Sequence, residues 1–174
     1  DGSQNFTEQV ISTNANRGRS VFAADVDGDG DIDVLSASDT DDKIAWYEND
    51  GSQNFTERVI STNADGAFSV FATDVDDDGD IDVLSASQLD DKIAWYENDG
   101  SQNFTERVIS TTADDARSVF AADMDDDGDI DVLSASMNDD KIAWYENDGS
   151  QNFTERIIST TADRAISVFA ADID

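Results

Sequence analysis

The chain repeats itself with a period of 49 residues, and this periodicity constrains the fold more than any other feature of the sequence. The string DGSQNFTE begins at four positions, Asp1, Asp50, Asp99 and Asp148. A chain of 174 residues therefore holds about three and a half units. Self-similarity at this period is typical of proteins built by stacking one supersecondary unit many times.

Each unit predicts four short β-strands. In the first unit SVFAAD, IDVLSAS and KIAWYEN are apolar or alternating segments, and they span residues 20–25, 32–38 and 43–49. The fourth strand, FTEQVIS at residues 6–12, follows an Asp-Gly pair of the kind that hairpin turns favour. Four antiparallel strands per unit indicate a β-propeller blade, whereas a β-sandwich would not need near-identical four-strand units.

We therefore predict an all-β chain made of four-stranded, antiparallel β-propeller blades. The predicted parts are an orphan outer strand at 1–13, three blades at 14–62, 63–111 and 112–160, and the inner strand of an incomplete blade at 161–174. Propellers usually close with about four to eight blades, and open blade edges invite pairing. We expect this stretch to belong to a longer array, or to complete its ring or array with further repeats or another copy of the chain.

Composition and charge exclude several functional classes. Lys and Arg total 10 against 41 Asp and Glu, and the resulting charge of −31 repels nucleic acid phosphates and anionic lipid. The sequence has no Cys and no His, which excludes disulfide frameworks, thiolate sites and imidazole bases. No apolar run reaches membrane-spanning length, so we expect no membrane insertion.

An aspartate-rich loop separates the first two predicted strands of each unit. It reads DVDGDGDID at 25–33, recurs at 74–82 and 123–131, and fits the pattern D-x-D-x-D-G-x-x-D. Calcium prefers about six to eight oxygen ligands, which alternating carboxylates on a tight loop provide, whereas magnesium retains several waters. Close carboxylates without a cation would repel one another strongly. The loops therefore predict Ca²⁺ as the cofactor.

In the first loop the candidate ligands are the side chains of Asp25, Asp27, Asp29 and Asp33 and the backbone carbonyl of Asp31. The equivalent candidates are Asp74, Asp76, Asp78, Asp80 and Asp82 in the second loop, and Asp123, Asp125, Asp127, Asp129 and Asp131 in the third. An EF-hand would need a Glu at the twelfth position and flanking helices. The chain has Ser at that position and strand-like flanks, so the EF-hand is excluded.

The segment SVFAADVDGDGDIDVLSAS, followed by KIAWYEND, resembles the FG-GAP/VCBS repeat of integrin-α-type propellers, and the resemblance covers every complete unit. It implies one calcium ion in each loop, an extracellular location (secreted or cell-surface), and a role in adhesion or binding. Asp77 and Asp126 fall at a non-ligand position of the pattern. Val-Phe-Ala and Ser-Ala-Ser replace Phe-Gly and Gly-Ala-Pro, which favours the VCBS branch over integrins themselves.

These features predict a non-enzymatic, calcium-stabilised scaffold or structural spacer. A sugar-binding lectin is the alternative, because Trp46, Trp95 and Trp144 are possible stacking surfaces, although tryptophan inside a strand is more often part of the core. A hydrolase of the glycosidase type needs a dedicated pair of carboxyl groups. The acids of this chain recur in every unit, which argues against such a pair.

The units differ from one another mainly in two loops on the face opposite the aspartate loops. Arg19, Phe68, Leu89, Arg117 and Met137 vary there and are candidate contacts for a protein or glycan ligand. Neutral drift on exposed loops is the alternative interpretation.

Four N-F-T sequons begin at Asn5, Asn54, Asn103 and Asn152. They predict N-glycosylation only in a cell that glycosylates secreted chains. Otherwise these asparagines are the polar start of the fourth strand.

Overall fold

The computed structural model describes residue 5 and residues 7–173. Across this described part, twelve strands and no helix form three four-stranded antiparallel sheets. The first sheet contains β1 (Gly18–Ala24), β2 (Asp33–Ser38), β3 (Lys43–Asn49) and β4 (Phe55–Ser61). The second contains β5 (Ala67–Thr73), β6 (Asp82–Ser87), β7 (Lys92–Asn98) and β8 (Phe104–Ser110). The third contains β9 (Ala116–Ala122), β10 (Asp131–Ser136), β11 (Lys141–Asn147) and β12 (Phe153–Ser159).

Within each sheet the strands lie in chain order, which confirms the predicted all-β fold of four-stranded blades. Each sheet lies inside one of the three predicted ranges, 14–62, 63–111 and 112–160. The second strand of every sheet is almost entirely buried, whereas the fourth strand is mainly half-buried or exposed. Small and branched apolar residues therefore occupy the inner strands, and charged residues occupy the outer edge.

Neighbouring blades pack face to face through a recurring apolar junction. Leu35 and Trp46 of the first sheet share one core with Val70 and Tyr96 of the second. A second core, made by equivalent residues, joins the second sheet to the third. Full burial of one such side chain stabilises the fold by about 1.5–3 kcal/mol. A blade thus gains much of its stability from the next blade.

The first strands of successive blades lie side by side, and their phenylalanines form a continuous row. Ring centroids are 4.6 Å apart between Phe22 and Phe71, 4.9 Å between Phe71 and Phe120, and 4.7 Å between Phe120 and Phe169. All three pairs are tilted, an arrangement that aromatic rings prefer to direct stacking. The row marks the inner edge of the array.

The two flanks of the array form no hydrogen-bonded ladder in the described residues. Residues 7–13 and 165–173, which fall within the orphan strands predicted at 1–13 and 161–174, belong to no ladder, and both strands stay predictions. The remainder of both predictions lies outside the described residues. A strand requires a hydrogen-bonded neighbour, and neither segment has one in the part of the chain that the structure describes.

Residues 165–173 nevertheless pack like the first strand of a blade. The Val168 amide donates to Ser118 Oγ at 3.3 Å, as the Val119 amide does to Ser69 Oγ at 3.3 Å one repeat earlier. The junction geometry therefore continues beyond the third sheet, although the ladder does not.

Candidate metal centre

Each aspartate-rich loop, which links the first and second strands of a blade, brings three carboxylates together. One oxygen from each member of a triad lies within 4.8 Å of the others. The triads are Asp25, Asp27 and Asp29; Asp74, Asp76 and Asp78; and Asp123, Asp125 and Asp127. These are the first, third and fifth positions of the loop, as the sequence pattern predicts.

Hydrogen bonds inside the loop hold this arrangement. The Gly30 amide donates to Asp25 Oδ2 at 3.0 Å, and the Asp31 amide donates to Asp29 Oδ1 at 2.8 Å. Gly30 has a φ of +96°, and a Cβ at this position would meet nothing within 4 Å. The glycine is therefore required for its backbone conformation and not for space. Gly79 and Gly128 repeat this geometry.

The ninth loop position anchors the loop to the sheet. Asp33 is fully buried, and its Oδ2 accepts a hydrogen bond from the Val26 amide at 3.0 Å while its Oδ1 accepts one from the Asn49 amide at 2.8 Å. Asp82 and Asp131 make the equivalent pairs of bonds. All three lie outside the triads, so the contribution of these carboxylates to a metal stays a prediction.

Burial raises the pKa of Asp82 to about 7, although hydrogen bonds from the Asn98 and Val75 amides act in the opposite direction. A nearby cation favours the charged form of a carboxyl group. Binding of a metal in this loop would therefore be linked to loss of a proton near neutral pH.

The seventh loop position meets the turn between the third and fourth strands. The carboxylate of Asp31 lies against Gly51, where a Cβ would overlap it. At the equivalent sites a Cβ on Gly100 would lie 2.5 Å from Asp80 Oδ2, and one on Gly149 would lie 2.6 Å from Asp129 Oδ2. The metal loop and the hairpin turn of one blade therefore interlock. The predicted use of the backbone carbonyls of these aspartates as ligands stays a prediction.

The donor set fits a hard divalent cation. Within the described residues, Asp25 Oδ1 and Asp76 Oδ1 are buried and have no hydrogen-bond partner. Burial raises the pKa of Asp27, and the charge of Asp29 adds to the rise. Burial likewise raises the pKa of Asp76, and the charge of Asp78 adds to that rise. Unpartnered carboxylate oxygens that repel one another are satisfied by a cation with oxygen ligands.

On the opposite face, three of the five predicted ligand-contact residues come together. The Phe68 ring lies between two guanidinium groups, with Arg19 Cζ 5.0 Å and Arg117 Cζ 4.5 Å from its centroid. Leu89 is exposed, and Met137 contacts Arg164. Asp39 and Asp115 pair with the two stacked arginines. These ion pairs balance the charges of the two arginines, and the binding role of the stack stays a prediction.

Two of the three tryptophans belong to the blade junctions. Trp46 and Trp95 are 4% and 3% exposed, and Trp144 is half-buried at the last sheet. Stacking on a sugar needs an open indole face, which the two junction tryptophans do not present. The lectin interpretation therefore gains no support from them.

The sequon asparagines of the described turns are exposed, and their side chains are bound locally. Asn103 Nδ2 donates to Asp99 Oδ2 at 2.9 Å, and Asn54 and Asn152 make the same contact with Asp50 and Asp148. These bonds hold the carboxylate in its charged form and lower the pKa of Asp99.

The comparisons with known proteins agree with this architecture. The family model for the FG-GAP-like repeat matches residues 1–36, 25–85, 74–134 and 123–174. Each internal match begins at the first aspartate of one loop and ends beyond the next loop. No curated protein matches the chain. None of the described residues forms a helix with the length and apolarity of a membrane span.

Proposed function

The chain belongs to the FG-GAP-like repeat family, and on this premise we propose that it is a non-enzymatic, calcium-binding scaffold of the extracellular space, used for adhesion or binding or as a structural spacer. The observation that carries the proposal is the aspartate triad, which recurs in three blades and has a buried oxygen without a partner in the first two. An assignment as a scaffold agrees with acids that repeat in every blade and form no dedicated catalytic pair.

The residues of each loop have separate tasks in this proposal. The triad supplies the anionic oxygens, the glycine at the sixth position sets the turn, and the buried ninth aspartate ties the loop to the sheet. A bound calcium ion supplies the positive charge that offsets the repulsion within the triad. At calcium concentrations about one to ten times the dissociation constant, each site stabilises the folded chain by about 0.4–1.4 kcal/mol.

We propose an extracellular location because FG-GAP-like repeats are typically extracellular. Calcium modules outside cells work with dissociation constants of about 10⁻⁴–10⁻³ M, and partly exposed loops suit that range. We propose an unidentified protein or glycan ligand at the Arg19–Phe68–Arg117 stack. We also propose that further repeats, or another copy of the chain, complete the ring or array.

Thermal unfolding with calcium and with EDTA tests the proposal. We expect EDTA to lower Tm substantially and magnesium to restore little of the loss. The matched variants are Asp76→Asn, which removes a triad charge, and Asp77→Asn, which changes a neighbouring loop residue outside the triad. Calorimetric titration should lose one calcium in the first variant and none in the second. Unchanged melting in EDTA would contradict the proposal.

A further inference from the structure

The three triads differ in burial although their sequences are nearly identical. Asp25 and Asp27 are half-buried, as are their equivalents in the second blade, whereas all three members of the third triad are exposed. A blade follows the first and second loops, while only residues 160–173 follow the third sheet in the described part of the chain. The following blade therefore determines how much of a metal loop is shielded from water.

The second loop position ties each loop to the following blade. Val26 is 2% exposed and belongs to the core between the first and second sheets, and Val75 has the same place between the second and third. Met124, at the equivalent position of the third loop, is only half-buried. The Asn98 side chain of the second blade also donates to the Val26 carbonyl at 3.5 Å.

A glutamine in the hairpin turn of the following blade lines a cavity together with one or two aspartates of each shielded triad. A cavity of about 370 Å³ is lined by Asp27 and Gln102, among others. A smaller cavity of about 230 Å³ is lined by Asp74, Asp76 and Gln151. Neither glutamine side chain makes a hydrogen bond within the described residues, so each amide oxygen is free to bind a ligand in that cavity.

These glutamines hold a backbone conformation that is unfavourable for a residue with a side chain. The φ angles are +58° at Gln102 and Gln151 and +64° at the equivalent Gln53, where glycine would be unstrained. The backbone amide of Gln102 donates a hydrogen bond to Asn98 Oδ1 at 3.1 Å, which fixes the backbone of Gln102 against the sheet. Gln53 is exposed, because no described blade precedes it, whereas the other two are half-buried.

Resting on the proposed function, we infer that each metal loop is completed by the blade that follows it, and that the amide oxygens of Gln102 and Gln151 join the calcium coordination of the preceding blade. The first and second sites are then inter-blade sites, and the third site of the described chain is a weaker, solvent-exposed one. Calcium binding and blade packing therefore stabilise each other.

Nuclear magnetic resonance with ¹⁵N-glycine labelling resolves the three sites, because the chain has 10 glycines. The amides of Gly30, Gly79 and Gly128 donate to the first aspartate of their own loops. In a calcium titration we expect Gly30 and Gly79 to shift at lower calcium than Gly128. If none of the three amides shifts, the proposed function fails; if all three shift with one midpoint, only the inter-blade inference fails.

Variants of the turn glutamines isolate the ligand role. Gln102→Ala should raise the calcium midpoint of the Gly30 amide about tenfold, as loss of a supporting metal contact does. The midpoint of the Gly79 amide should not change. Gln53→Ala places an alanine at the same strained φ, but no described blade precedes Gln53. We therefore expect none of the three calcium midpoints to move in this control. Gln102→Glu should keep the Gly30 midpoint while lowering stability in EDTA, because it adds a charge beside Asp27. An unchanged Gly30 midpoint in Gln102→Ala, or equal losses in the Ala and Glu variants, would overturn the inference.

Discussion

Val21, Val70 and Val119 occupy one position in the first strands of the three blades. Val70 and Val119 are each 4% exposed because they lie in blade junctions, whereas Val21 is 74% exposed on the first sheet. The three sites share nearly the same neighbouring sequence and the same strand geometry. Substitution of each by alanine therefore measures the energy of a junction with local propensity held constant.

The expected magnitudes follow from the buried fractions. Valine-to-alanine removes two carbon groups worth about 0.8 kcal/mol each when buried, which gives about 1.5 kcal/mol at Val70 and about 0.4 kcal/mol at Val21. The cavity left in a packed junction adds to the first value. We therefore expect a loss of about 2 kcal/mol for Val70→Ala and for Val119→Ala, and less than about 0.5 kcal/mol for Val21→Ala.

Urea unfolding in saturating calcium, followed by tryptophan fluorescence, measures these differences as shifts in the midpoint at constant slope. The molar mass of each sample must be measured at the same concentration, since another copy covering the first sheet would bury Val21. A monomeric chain in which Val21→Ala costs as much as Val70→Ala would refute the argument from burial.

Two further predictions concern residues of the aspartate loops and the hairpin turns. Gly28→Ala and Gly51→Ala place alanine at nearly the same φ, +72° and +73°, so both should cost about 1–2 kcal/mol. Gly51→Ala should cost more and also weaken calcium binding, because its Cβ would displace Asp31; equal losses in urea unfolding would contradict the interlock of loop and turn. Asn103→Ala should raise the lowered pKa of Asp99, since it removes a donor to the carboxylate, as followed by carboxyl ¹³C titration. The stabilisation from this contact is present above the ordinary aspartate pKa and is lost as the pH falls through the lowered one, and an unmoved Asp99 titration would exclude the contact.

Much of the blade could be predicted from sequence because its determinants are local. Alternation in KIAWYEN, the Asp-Gly turns and the spacing of the aspartates indicate strands, hairpins and triads without knowledge of the packing. The orphan strands predicted at the flanks stay predictions for the opposite reason. A ladder depends on a neighbouring strand, and the pattern of one segment does not report whether that neighbour is present.

Features that depend on how distant segments pack were beyond the sequence pattern. The motif marks Asp33 as one more ligand, but its two oxygens hold backbone amides of separate segments. The position of Gln102 beside the aspartate loop of the preceding blade depends on how the two sheets pack. Only its recurrence in every SQN turn could have drawn attention to it, and that recurrence is equally expected of a simple turn residue.

The row of phenylalanines has a consequence for how such a chain changes length. Phe22, Phe71 and Phe120 each contact the phenylalanine of the next unit with nearly the same spacing. Each unit therefore offers to the following unit the same contact surface that the preceding unit offers to it. Removal or insertion of 49 residues by unequal recombination would rejoin two compatible surfaces and create no new kind of contact. In a nearest-neighbour array, each such event changes stability by one unit and one junction. Selection can therefore adjust the length of the array in whole units while the residues of each junction remain constant.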